Sequence, residues 1–449
     1  MKNISISNFR CYDQKHMEFR PGINLLIGDN SSGKTSLIRA CNFVTNALFC
    51  GYSDENTVWK SVDDADFKLN IDANNTIQPE QPVVISFRLS PSDLLPIVSE
   101  GERDLEFDYS TELRLEKKSR KNSRNLIAGL IGLKNYASQL YAKSHVRYGN
   151  AVTQLNALPV YACFTTEDIH ASRKIDKQRF KEYAQKPSFG YYECHDCRGL
   201  FEYWLNRLLV LQEAETGTDE IENVRNAIRE SLGSAGCNII EDMVVRPVRG
   251  KVYFKYTDGR YVESMMLSDG YKRLVNIVMD IAIRCALLNK SMFGTNAYKQ
   301  THGTVIIDEI DEHLHPALQS RILRALHTTF PRVQFIVSTH APLVMSSVEK
   351  GADNVVYRLW YDEAEHTYKH VALDTYGLDA NLILEEEMMV ESRDSVVNEM
   401  LNKVQDLVVQ RKWTEAKALL AQLETKTSPS QPSLIRIHSI INRFESRER

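Results

Sequence analysis

The chain has 449 residues, 43% of them hydrophobic, enough for two or three domains with real cores. A formal net charge of −4 gives no overall attraction for nucleic acid or an acidic membrane, so any such contact must come from a local patch. No apolar run reaches the roughly 18 residues of a membrane span and no charged-then-apolar leader opens the chain. The eight cysteines are scattered, which fits a reducing cytoplasm and no membrane.

In chain order, Ile23 to Ile27 is a short apolar run that Gly28 ends abruptly, and Leu37, Cys41, Val44 and Leu48 then recur at helical spacing. Between predicted strand and helix lies Gly28-Asp29-Asn30-Ser31-Ser32-Gly33-Lys34-Thr35-Ser36, the strand–loop–helix context of a phosphate loop. Gly28 and Gly33 allow backbone angles that let the amides from Asn30, Ser31 and Ser32 onward face phosphate oxygens. Lys34 then reaches the terminal phosphates, Thr35 supplies a magnesium ligand, and the helix N-terminus adds a favourable dipole. The ligands expected are ATP and Mg2+.

Residues 113 to 244 read as mainly helical without sustained heptads, hence as a compact inserted domain. At its start Arg114, Lys117, Lys118, Arg120, Lys121 and Arg124 crowd one polar stretch, which is either a solvated loop or a contact for DNA or RNA phosphates. Cys194-His195-Asp196-Cys197 is a single Cys-x-x-Cys without a second pair, read as a loop with ordinary cysteines. Leu267-Ser268-Asp269-Gly270-Tyr271 opens a helix with a buried stripe at Leu274, Val278, Ile281, Cys285 and Leu288, and Ser268 suits its N-cap.

Thr304-Val305-Ile306-Ile307 is the apolar run of a strand buried on both faces, and it delivers Asp308 and Glu309 to the strand's C-terminal edge. Asp308 is the second metal-site residue, and Glu309 the general base or water positioner. Val333 to Val337 is the next such run. It ends in Ser338-Thr339-His340, where His340 can sense the γ-phosphate. His313 and His315 do not share a helical face, so no zinc site is read there. After Asp379 the pattern is helical, in segments beginning near Leu382, Trp413 and Leu434, and the region 379–449 reads as a partner-docking segment. Glu385-Glu386-Glu387 lacks a following Asp-x-Asp, and no nuclease domain is expected.

The stretch around Ser268 and Gly270, lying between the phosphate loop and the acidic strand, resembles the signature motif of ABC-type ATPases. The opening Ile4 to Arg10 with Pro21-Gly22-Ile23-Asn24 resembles the SMC and RecF-like branch, in which the positions of Phe9 and Arg10 lie near the nucleotide base. The run Gly303 to Pro316 with Gln334 to Pro342, and the tail motifs Tyr376-Gly377-Leu378-Asp379 and Trp413-Thr414-Glu415, are similar to a bacterial anti-phage defence family that includes PtuA of Septu and retron-associated ATPases. Two departures are visible: His315 stands where many ABC ATPases carry an aspartate, and Gln78 and Gln81 fit the glutamine loop no better than a turn.

The resemblance implies an α/β fold, an ABC/SMC-type P-loop ATPase head with an inserted helical domain and a C-terminal helical segment. The expected division is 1–112 and 245–378 for the ATPase core, 113–244 for the insertion and 379–449 for the tail. It also implies a homo-oligomer of paired heads, a dimer or multiple of dimers, in which Ser268 and Gly270 cap the ATP of another copy. Hydrolysis would be slow, ATP acting mainly as a sensed ligand, and a separate HNH-type nuclease would be regulated. The competing expectation is a DNA-repair ATPase of the SMC/RecF type that binds DNA directly through residues 114–124.

Overall fold

Alternating short apolar positions begin the chain as an antiparallel hairpin, β1 (Asn3–Phe9) with β2 (Tyr12–Glu18). In this computed structural model all residues are described except 53, 71–80, 91–107, 109, 122–123, 145, 149–150, 155, 167–185, 198–199, 389–394, 428–431 and 449. The run Ile23–Ile27, apolar but for Asn24, is β3, buried at all five positions. β4 (Val83–Arg88) and β5 (Leu113–Lys117) complete a four-stranded antiparallel sheet in the order β2-β1-β4-β5. A small ribbon pairs β6 (Val146–Tyr148) with β7 (Ala151–Thr153).

The central layer is a six-stranded sheet, β15-β14-β3-β13-β12-β8. It takes β8 (Val160–Phe164), β12 (Gly303–Ile307), β13 (Val333–Ser338) and β14 (Val355–Asp362) in parallel register with β3, while β15 (Thr367–Leu373) closes one edge antiparallel. Between β8 and β12 the chain makes a second three-stranded sheet from β9 (Ile240–Arg246), β10 (Lys251–Tyr256) and β11 (Tyr261–Glu263). Burial on both faces explains why β3, β8, β12 and β13 are mostly apolar rather than alternating, with the polar Asn24 and Gln334 buried and hydrogen-bonded within them.

The helices of this unit include α1 (Lys34–Asn46), α2 (Ile131–Lys143), α3 (Phe201–Glu213), α4 (Thr218–Leu232), α5 (Asp269–Phe293) and α6 (Ile322–Thr329), of which α1 and α5 pack on the central sheet. The long α5 is buried almost continuously from Arg273 to Asn289. Its charged groups are internally matched. Arg284 pairs with Asp280 at 2.6 Å and donates to the carbonyls of Gly190 (2.8 Å) and Tyr192 (3.0 Å), while the Trp204 indole N–H donates to Asp280. Burying such a pair is tolerable because each remaining donor finds an acceptor.

The expected helical insertion over 113–244 does not stand apart. β5 belongs to the four-stranded sheet and β8 is an edge strand of the central sheet, paired with β12 from Gly303↔Val160 to Ile307↔Phe164. The reason is the run Val160–Phe164, buried at every position, which only a sheet shielded on both faces can accommodate. Residues Met1–Leu378 form one compact unit and Asp379–Arg449 another. The second unit contains α7 (Ser395–Val409), α8 (Trp413–Lys426) and α9 (Pro432–Glu448), which bury Leu401, Val404, Leu420, Leu423, Leu434 and Ile441 together. Met389 and Val390 lie outside the described residues. No helix among the described residues is long and apolar enough to cross a membrane.

Candidate functional site

The loop between β3 and α1 has the backbone its glycines require. Gly28 has φ 144° and Gly33 φ 93°, and a Cβ at either would lie 2.2 Å from Leu359 O or 2.4 Å from Tyr12 Oη. Ser31 also takes a positive φ, 72°. Tyr12, buried, donates its hydroxyl hydrogen to Gly33 O at 2.9 Å and so braces the loop from β2. Asn30, Ser31 and Thr35 are exposed, Ser32 is buried, and Ser36 is half-buried in the first turn of α1. Lys34 Nζ donates to Gly28 O (2.8 Å), Asp29 O (2.9 Å) and Ser32 Oγ (3.2 Å). Burial pulls the Lys34 pKa down, opposed by the carboxylates of Asp308, Asp29, Glu309 and Asp311.

Three of those carboxylates, Asp308, Glu309 and Asp311, follow the end of β12, while Asp29 belongs to the phosphate loop itself. Ser338 Oγ, at the end of β13, donates to Asp308 Oδ1 and accepts from Glu309 N at 2.8 Å, so adjacent parallel strands lock the acidic pair. Glu309 holds φ 50°, an uncommon conformation for a side-chain-bearing residue, and is half-buried. Asp311 accepts from Thr339 Oγ1 (2.6 Å) and His340 N (3.3 Å), which fixes the half-buried His340 beside the same sheet edge. Among the described residues no cluster of His, Cys, Asp and Glu forms a metal cage. Thr35 and Asp308 nevertheless line one cavity of about 770 Å³, and one hydroxyl plus one carboxylate is the donor set of a magnesium ion that also binds phosphate.

Arg10 lines that cavity too. Phe9 does not: it is wholly buried and packs edge-on against Phe43, because β1 turns this position inward. The expectation that Phe9 faces a nucleotide base is therefore corrected to a core role. Several lining residues had no motif to announce them: Arg39, held by Asp63 and Asp66 at 2.6 Å each, Asn42, Trp59 and Lys60, while His195 lines the cavity from the Cys-x-x-Cys loop, which was read as an ordinary loop. Arg39, Asn42 and Asn46 form a polar stripe at helical spacing along α1, the one signal that sequence offered.

The Cys-x-x-Cys loop also reaches the cavity wall. Cys197 is joined to Cys163 of β8 in a disulfide, rather than being an ordinary loop thiol, and Asn42 Nδ2 donates to His195 O at 3.0 Å. The pairing was not visible because sheet topology, not spacing, brings the end of β8 to residues 194–197.

Ser268 sits at the N-cap of α5 with φ −60° and ψ 154°. It is exposed, and its side chain makes no capping hydrogen bond. Gly270 is buried against the segment after the acidic pair, where a Cβ would lie 2.3 Å from His313 O. One turn further, the fully buried Arg273 donates to Asp308 O at 2.8 Å and pairs with Glu312. His315 accepts from Ala317 N and caps the short helix that follows. In the basic stretch, Lys117 is spent on Val62 O (2.7 Å) and Asp64, and Arg114 on Glu116, while Lys118, Lys121 and Arg124 are exposed. Gln78 lies outside the described residues and Gln81 is exposed.

A parallel sheet that brings a phosphate loop and an acidic strand end to one edge is the layout of a P-loop ATPase, and this chain has that fold. Residues 23–346, more than half of the chain, match the family described as "AAA domain, putative AbiEii toxin, Type IV TA system", and the chain belongs to it. It is 25% identical over 408 residues to the "Retron Vc95 probable ATPase" of Vibrio cholerae serotype O1 biovar El Tor, covering 80% of this chain and 74% of that one. It is 33% identical over 153 residues to the "Septu protein PtuA" of Bacillus mycoides (strain KBAB4), covering 34% of this chain and 20% of that protein. Among solved structures, one described as "Crystal structure of the SmcHead bound to the C-winged helix domain of ScpA" aligns with TM-score 0.47 and 14% identity, over 83% of this chain and 97% of that one.

Proposed function

We propose that this protein is the ATP-binding, slowly hydrolysing subunit of a prokaryotic anti-phage complex in the cytoplasm, and that it controls a separate HNH-type nuclease through ATP-dependent pairing of its heads. The observation that carries the reading is Ser268: an exposed hydroxyl at a helix N-terminus, capping nothing in its own chain, on a helix tied by Arg273 to the acidic strand end. The relatives named for Septu and retron systems support the biological setting.

In this reading the amides of Asn30 to Gly33 and the Lys34 ammonium hold the phosphates, which compete for the donors that Lys34 now gives to Gly28 and Asp29. Thr35 and Asp308 hold a magnesium ion, which supplies charge neutralisation at the phosphates. Glu309 orients the water that attacks the γ-phosphorus, releasing ADP and phosphate, and His340 reads whether the γ-phosphate is there. Ser268 and Gly270 of a second copy close the pocket. Direct DNA binding through 114–124 is less well supported, since Arg114 and Lys117 already have partners.

The test is Ser268→Arg. ATP affinity should be that of the native protein by equilibrium dialysis, while ATP-dependent dimers vanish from sedimentation profiles. Normal ATP-driven dimers of this variant would remove the shared-pocket reading and leave an ATPase acting as a single head.

A further inference from the structure

A second groove lies between the free edges of the two large sheets, where β2 faces β15. It has a volume of about 670 Å³ and is lined by Ser5, Lys15, His16, Trp360, Tyr368 and His370, among others, none of them acidic. Lys15 is the unusual member. Its side chain is 95% buried by its 5% residual exposure, and its Nζ donates to Tyr368 O at 3.0 Å and to His370 Nδ1 at 3.1 Å. Among the described residues no carboxylate pairs with it. A buried ammonium without a counter-charge is costly, and a protein that keeps one usually offers it to an anion.

The neighbouring groups suit the same ligand. His370 Nδ1 accepts from Lys15, so its Nε2 carries the hydrogen and donates. His16 meets Ser5 Oγ at 2.8 Å. Lys369, also in the wall, is neutralised by Asp362 and Glu365 at 2.7 Å each, so the unspent positive charge is that of Lys15. Burial lowers the Lys15 pKa to about 8, and burial together with Lys15 and His16 lowers that of His370 to about 4. A bound anion would reverse both shifts. Trp360 gives a flat apolar wall beside these donors.

We propose that this groove is a binding site for a phosphate monoester, its phosphoryl group seated on Lys15 and His370 and its organic part against Trp360. The site is independent of the phosphate loop and does not depend on the function proposed above.

The experiment uses the full chain carrying Lys34→Ala, so that the phosphate loop does not answer, titrated calorimetrically with AMP and, separately, with inorganic phosphate. Saturable binding is expected, weakened about tenfold or more by Lys15→Met and partly restored by Lys15→Arg. AMP binding more tightly than phosphate, with Trp360→Leu erasing the difference, identifies an organic ester. Equal affinity identifies free phosphate as the occupant of the same anion site. His370→Gln, at a half-buried position, replaces Lys15→Met if that variant does not fold. Binding should also raise the His370 pKa from about 4, seen in its imidazole NMR signals. No binding of either probe, binding indifferent to both Lys15→Met and His370→Gln, or an unmoved His370 overturns the proposal.

Discussion

At the scale of single residues, the proposed chemistry separates binding from turnover. In the proposed site the buried Lys34 ammonium would hold the phosphates, so Lys34→Ala should weaken ATP binding about 10²-fold, read by fluorescent-nucleotide titration. Glu309→Gln keeps the shape and removes the base, so hydrolysis should fall by about 10²–10⁴-fold while ATP affinity holds. Equal losses of affinity in both variants would contradict these roles. His195 offers a pH test. Its Nδ1 meets Asn42 Oδ1 at 2.7 Å, its Nε2 has no partner among the described residues, and burial, then Lys60 and Arg284, hold its pKa well below 6.5. Above that value folded and unfolded chains both carry it neutral. Below it the unfolded chain takes a proton that the folded chain refuses, so stability falls with pH by up to about 1.4 kcal/mol per unit. His195→Gln should flatten the decline in melting temperature between about pH 7 and 5, and an unchanged slope would refute the assignment.

At the scale of elements, the contact between the start of α5 and the segment after β12 is the sensitive one. Gly270→Ala places a methyl group 2.3 Å from His313 O, a backbone atom that cannot rotate away. It should destabilise the protein by about 1–3 kcal/mol in urea unfolding, whereas the same change at Gly259, with nothing within 4 Å, should meet no clash and cost only its backbone strain. What sequence made legible follows from how local each signal is. The phosphate loop, Asp308, Glu309 and the Ser268 helix start each depend on one strand and the turn beside it, so a run and its terminus sufficed. Trp59 with Lys60, and His195, reach the cavity from two separate segments with no periodicity, and Val160–Phe164 lies inside the region read as mainly helical, its strand identity fixed by pairing with β12. Phe9 failed for the opposite reason: a resemblance carried a role onto a position whose strand alternation turns inward.

At the scale of the whole molecule, the division at Leu378 makes a clean prediction. The 379–449 unit has its own apolar core around Leu420 and Leu423, and every residue proposed for the nucleotide site lies before it. Deleting 379–449 should therefore leave ATP affinity within about twofold, a change under roughly 0.5 kcal/mol, while abolishing co-purification with a nuclease partner. Retention of the partner would place docking in the first unit. The bridge between Cys163 and Cys197 acts on a different state of the chain altogether. Spanning 34 positions, it leaves a closed ring in the denatured polypeptide, and the entropy so withheld is worth about 3–4 kcal/mol to the native form. In the reducing cytoplasm proposed above the pair is held as thiols and that margin is absent, so the robustness of this polypeptide is a property of the surrounding redox chemistry as much as of its amino acids.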